Sequence, residues 1–205
     1  MQYYQHLLII GAVAVVVWCL FIYFWPRMLL SVYKRAILVK GFGDGPIPVN
    51  TLYTQSQKSF AEPLTLQTGS SSNSVTAGVN HDTLLTVGWV DLRQEPLVLH
   101  VPAMSERYYS VQFTNPSKNT NFAYAGTRTT GTQAGDFLIS GPGWKGTMPQ
   151  GMKQISSPNN SVMVMGRALV ESESDLATAY ALSKQIQLTP LSGWQGGEKN
   201  KIEGL

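Results

Sequence analysis

The first strong pattern in the chain is an unbroken apolar run, Leu7 to Trp25 (LLIIGAVAVVVWCLFIYFW), with no Asp, Glu, Lys, Arg or His in it. At 1.5 Å of rise per residue this run reaches about 28 Å, close to the thickness of a bilayer core. It predicts one membrane-spanning helix, with Leu7, Val15, Trp18, Phe21 and Trp25 among its lipid-facing residues and Arg27, Lys34 and Arg35 just beyond its end. From Arg27 to Lys40 the pattern changes: Met28, Leu29, Val32, Tyr33 and Ala36 recur at helical spacing. That stretch fits either an amphipathic helix lying along the interface or a continuation of the spanning helix into water.

Beyond Lys40 the helical period is lost. Residues 41–48 (GFGDGPIP) hold three glycines and two prolines and read as a linker, and 69–74 (GSSSNS) reads as a loop. Short alternating or apolar runs then follow at Leu84–Leu92, Leu97–Val101, Tyr108–Phe113, Asn121–Ala125, Phe137–Ile139 and Ser161–Val170, separated by turn residues. Such spacing predicts a mainly β domain, an antiparallel β-sandwich or open barrel. A last amphipathic stretch, with Ser172 or Ser174 as cap and Leu176, Ala179, Tyr180, Ser183 and Ile186 on one face, predicts a covering C-terminal α-helix that runs to Gln187. The organisation expected is therefore an anchor with its juxtamembrane helix (1–40), a linker and extension (41–74) and one β-rich domain (75–205).

Composition adds a little. A net charge of +3 is too small for a nucleic-acid footprint, and four of the fifteen basic residues (Arg27, Lys34, Arg35, Lys40) sit where anionic headgroups would attract them. The single cysteine lies in the apolar run, so the domain has no internal disulfide to report its redox compartment. MQYYQH lacks the basic start of a secretory signal and no small-residue cleavage site ends the run, so the helix is expected to be retained. Basic residues only after the run place the domain in the cytoplasm by the positive-inside rule, although long domains override that rule.

Several blocks resemble one family. Asn80-His81-Asp82-Thr83-Leu84, Trp89-Val90-Asp91-Leu92, Arg107 to Gln112 and Asn121 to Tyr124 are similar to the successive signatures of the bacterial domain of unknown function 1254 (DUF1254). The longest likeness runs from Gly126 to Asp136 into Gly141 to Gly146, with Gly166-Arg167 and Leu188 to Trp194 completing it over roughly residues 75–194. Leu85 stands where the family usually carries tyrosine. The resemblance implies a β-rich, often exported domain, often followed by or encoded beside a jelly-roll domain of a second such family (1214), which is not found in this sequence. It carries no established reaction. Exported relatives favour a periplasmic domain on the inner membrane over the charge rule, and that is the side expected here.

Gly141 to Gly146 fits G-x-G-x-x-G, but Met148-Pro149-Gln150-Gly151 follows where a dinucleotide site needs a helix, so it reads as a turn. His81, His100 and Asp82 or Asp91 could form a two-His, one-carboxylate metal site, yet neighbours on a strand point to opposite faces. No metal or other cofactor is expected. No G-x-S-x-G elbow occurs. Asp82 and Asp136 suit Asx-type turns. Arg167, inside the apolar run 162–170, needs a charged partner if it faces the core, and Asp91 or Asp136 is the natural choice.

Two function classes follow from these residues. The first is a non-catalytic interaction module of the cell envelope, bound to the lipid bilayer and partnering either a separate jelly-roll protein or a membrane complex as an accessory subunit. The second is an enzyme or a binder of small molecules or anions, with a site at the Gly126–Trp144 loop formed by Arg128, Asp136, Trp144 and Arg167.

Overall fold

Period-two alternation in the middle of the chain produces two facing sheets. The computed structural model describes residues 2–42, 45–60, 65–67, 74–76, 80 and 82–195. The strands are β1 (Leu52–Thr54), β2 (Thr65–Gln67), β3 (Ser74–Thr76), β4 (Thr83–Asp91), β5 (Leu97–Val101), β6 (Tyr109–Asn115), β7 (Thr120–Gly126), β8 (Gly135–Ser140), β9 (Lys153–Ser156), β10 (Ser161–Leu169) and β11 (Gln187–Pro190). One sheet has the order β1-β4-β10-β6-β7 and is antiparallel throughout. The other has the order β11-β5-β8-β9, in which only the β8–β9 pair is parallel. Strands β2 and β3 pair with each other in a separate two-stranded sheet.

Val90, Val111, Phe113, Val162 and Val164 from the five-stranded sheet meet Leu97, Leu99, Val101, Phe137 and Ile139 from the four-stranded one, all essentially buried in one cluster. Burial of each such side chain stabilises by about 1.5–3 kcal/mol, so this interface holds the fold together. The domain is a β-sandwich with open edges, not a closed barrel. A β-bulge between Phe113 and Thr114 accommodates Phe122 as the extra residue on β7, whose ring then packs on Phe113.

The helix α2 (Leu176–Lys184) covers one end of the sandwich, where Ala179 packs with Leu84 and Val170. The predicted face is the one that packs, but the helix stops three residues earlier than expected because Gln187–Pro190 joins β5 as a strand. Neither Ser172 nor Ser174 caps it. Their hydroxyls bond each other at 2.9 Å, and residues 173–175 form a 3₁₀ turn that leads into the helix.

The helix α1 (Gln2–Val39) is continuous, so the stretch after Trp25 prolongs the apolar helix without a break. It is long and apolar enough to cross a membrane. Leu7, Val15, Trp18, Phe21 and Trp25 all stay between 45% and 63% exposed within the chain, so nothing in the described domain buries them. Pro26 lies inside it; the missing N–H leaves the Ile22 carbonyl without its helical donor.

Candidate functional site

The outward face of the five-stranded sheet is shared between the end of α1 and an open region. Alternation along β4 sends Val90 inward and Leu85, Val87 and Trp89 outward. Against Val87 and Trp89 lie Ala36 and Ile37 of α1 and Ile47 of the following segment, each under 7% exposed, with Tyr33, Phe42 and Met163 around them. Backbone bonds lock the turn: Gly41 N–H donates to the Ala36 carbonyl at 3.0 Å and Ile47 N–H to the Ile37 carbonyl at 3.3 Å. Gly41 has φ +63°, the left-handed conformation that ends a helix most readily at glycine. The stripe of residues 27–40 that buries itself is thus Tyr33, Ala36 and Ile37, whereas Met28, Leu29 and Val32 stay exposed.

Polar contacts seal the rim of this junction. The Trp89 indole N–H donates to Ser161 Oγ at 2.8 Å, and the Lys34 ammonium donates to the same oxygen at 3.5 Å while lying 5.3 Å from the indole centroid.

At the opposite end of the sheet the face is open. Arg167 on β10 is registered with Ser110 on β6, and Ser110 with Gly126 on β7, so Arg167 and the Arg128 loop share one end of the sheet. A shallow cleft of about 200 Å³ is lined there by Tyr108, Ser110, Tyr124, Arg128 and Thr129. The Arg128 guanidinium sits 5.8 Å from the Tyr108 ring centroid, and both tyrosines are partly exposed. Thr127 and Thr130 fix the loop: Thr127 Oγ1 accepts from Tyr109 N–H at 3.0 Å and Thr130 Oγ1 from Gly126 N–H at 3.0 Å.

The other two expected site residues lie on the second sheet. Asp136, on β8, faces His100 across the β5–β8 ladder, with Nδ1 to Oδ1 at 2.7 Å, so it serves that pair and no Asx turn. Trp144 packs against Val98, Leu138 and Met152. The structure therefore brings Arg128 and Arg167 to one face and sets Asp136 and Trp144 on the other sheet.

The expected partner of Arg167 is corrected as well. Val162, Val164 and Ala168 point into the core, so Arg167 points out; it is exposed and reaches only Thr83 Oγ1 at 3.5 Å. Asp91 is held by Arg93 through both carboxylate oxygens, which lowers its carboxyl below the usual range. The turn at Gly141 is as read: Trp144 N–H donates to the Gly141 carbonyl at 3.3 Å around Pro142 and Gly143, the latter at φ +73°, a type II turn. Asn80, rather than Asp82, makes the Asx turn, its Oδ1 accepting from Asp82 and Thr83 N–H at 3.2 Å each. His81 lies outside the described residues, and among those described no group of three His, Cys, Asp or Glu side chains converges as a metal site.

A part-buried ion pair among the described residues is one the sequence did not reveal. Arg107, before β6, donates to Asp175 Oδ2 and Oδ1 at 2.5 and 2.6 Å and to the Leu169 carbonyl at 2.5 Å; the two side chains are 10% and 18% exposed. The guanidinium pushes the Asp175 carboxyl down to about 2, aided by Glu171 N–H donating to Oδ2 at 3.0 Å. The pair ties the entry of α2 to the end of β10 and is structural by its setting.

A two-sheet sandwich with a long apolar helix docked on its outward face defines the class of protein. The chain belongs to the family described as "Protein of unknown function (DUF1254)", whose profile matches residues 60–190. Among solved structures it resembles the crystal structure of the VPA0106 protein from Vibrio parahaemolyticus, with a TM-score of 0.53 and 30% identity over 56% of this chain and 29% of that one. The chain thus spans less than a third of that protein's length. No curated protein matches it significantly.

Proposed function

We propose that this protein is a membrane-anchored, non-catalytic interaction module of the cell envelope, whose β-sandwich is held in one orientation at the inner membrane by α1. The observation that carries this reading is the docking of Ala36, Ile37 and Ile47 on Val87 and Trp89. A helix tethered only by a glycine-rich linker would leave the domain free to tumble. Burial of Ile37 and Trp89, at about 1.5–3 kcal/mol each, makes the apolar helix and the sandwich one body instead. Such an arrangement presents one face of a sandwich to a partner at a fixed height and angle. Dispersed charges support the same reading: Asp91, His100, Asp136, Arg107 and Asp175 are each engaged in separate pairs.

The partner in this reading is either a separate jelly-roll protein or a larger membrane complex, and the domain lies in the periplasm. Solubilisation in mild detergent followed by affinity purification of the full chain tests it. Stoichiometric recovery of one envelope protein supports the reading, and recovery of the chain alone, monodisperse, opposes it. A C-terminal alkaline phosphatase fusion checks the side: activity supports the periplasm, and inactivity with a bright fluorescent-protein fusion places the domain in the cytoplasm.

A second reading, a small-molecule or anion site, rests on the Tyr108–Tyr124–Arg128 cleft alone, since Asp136 and Trp144 lie on the other sheet.

A further inference from the structure

Between α1 and the five-stranded sheet lies a second cleft, about 270 Å³ in volume. Arg27, Leu30, Ser31 and Lys34 line it from the helix at spacings of three, four and seven residues, which places all four on one stripe. Trp89 and Ser161 form the sheet side, and Pro116 and Ser117 of the β6–β7 turn close the far side. We propose that this cleft binds a phosphate group, supplied by an anionic phospholipid headgroup; the lipid source rests on the membrane-anchored reading above.

Charge is the first argument. Two cations line the cleft, no carboxylate does, and neither cation has an ion-pair partner among the described residues. Asp91, the carboxylate that feels the Lys34 charge, is already gripped by Arg93. Arg27 donates to the Tyr23 carbonyl at 2.6 Å and stacks on the Tyr23 ring at 3.9 Å, with further N–H groups to offer, while Lys34 contacts Ser161 Oγ at 3.5 Å and lies over the Trp89 ring.

Hydrogen-bonding capacity is the second argument. Ser161 Oγ accepts from both Trp89 and Lys34, so its own O–H is free to donate into the cleft. Ser31 has its hydroxyl spent on the Arg27 carbonyl at 2.9 Å, which leaves its oxygen as a weak wall rather than a donor. The donor set is therefore a guanidinium, an ammonium and one hydroxyl, the chemistry that recognises a phosphate monoanion or dianion.

Depth is the third. Arg27 lies two residues and Lys34 nine residues past Trp25, hence about 3 Å and about 13 Å beyond the end of the apolar run along a straight helix. With a headgroup layer of roughly 5–8 Å on each side of the hydrocarbon core, the cleft brackets the level of the lipid phosphates. Arg35, on the same helix but exposed and outside the cleft, provides an internal control of equal charge.

Native mass spectrometry of the full chain released from detergent, with phosphatidylglycerol or phosphatidylcholine added, tests the site. The expected result is one phosphatidylglycerol retained by the wild type, retention falling about tenfold in Lys34→Gln and in Arg27→Gln, and Arg35→Gln behaving like the wild type. Two variants on different turns guard against a folding defect in either, and each is checked for an unchanged melting temperature. Displacement of the lipid by millimolar inorganic phosphate supports the same site with free phosphate as its source. Equal loss in Arg35→Gln, or full retention in both cleft variants, overturns the proposal. Carbonate extraction of the wild type separates the two readings: release into the supernatant sinks the membrane anchor, and thermal stabilisation by inorganic phosphate, present in wild type and absent in Lys34→Gln, then decides the site on its own.

Discussion

Arg107 and Asp175, 68 residues apart in sequence, form a two-pronged ion pair that clamps the start of α2 onto the carbonyl end of β10. Truncating one partner leaves the other charge partly buried and unpaired, which costs on the order of 2 kcal/mol. Arg107→Met is therefore expected to lower the melting temperature by many degrees in a domain of this size. Asp175→Asn removes the charge but keeps an acceptor and is expected to cost less. Chemical denaturation of both variants and the double variant checks this, and purely additive effects would show that the two side chains do not interact.

The same pair sets an acid limit. Asp175 has its carboxyl depressed from 3.8 to about 2 in the folded chain. A depressed carboxylate contributes stability that is complete above its unfolded value and is lost as pH falls through the folded one. On the order of 2 kcal/mol should thus disappear between about pH 4 and pH 2, and Asp175→Asn should lack that component. Melting temperatures measured from pH 5 to pH 2 on wild type and variant give the comparison.

Arg167 makes the opposite case. Exposed on β10 and bonded only to Thr83 at 3.5 Å, it should tolerate Arg167→Met within about 0.5 kcal/mol. A loss several times larger in equilibrium unfolding would mean that the side chain has a partner the geometry does not give it.

These two arginines show how far the sequence could be read. Six central strands were legible as alternating runs, such as Ser161–Leu169, or as continuous apolar runs between turn residues, such as Leu97–Val101. Strands β1, β9 and β11 were not, since three or four residues carry no period, and β11 even ends on a proline at the sheet edge. Arg167 was misassigned because its run is apolar on both faces: Met163 and Met165 point outward with it, beside the core-facing valines. Strict alternation from Val162 and Val164 would have placed it outside. Arg107 and Asp175 lie in irregular segments far apart in the chain, so no local pattern joins them. The docking of α1 left a trace in Tyr33 and Ala36, but an amphipathic stripe fits a bilayer surface as well as a sheet, and only the fold shows which one it meets.

The end of α1 packs against the outward face of the five-stranded sheet, and this docking sets the orientation of the whole domain. The most direct measurement replaces Tyr33 with benzoylphenylalanine in the full chain, irradiates intact membranes and maps the linked peptides by mass spectrometry. Tyr33 packs in the cluster that holds Val87, Trp89 and Met163. The expected result is an intramolecular link from position 33 to the tryptic peptides spanning 59–93 or 154–167. Links only to lipid or to another protein, or a mature chain that begins beyond position 33, would contradict the docked anchor.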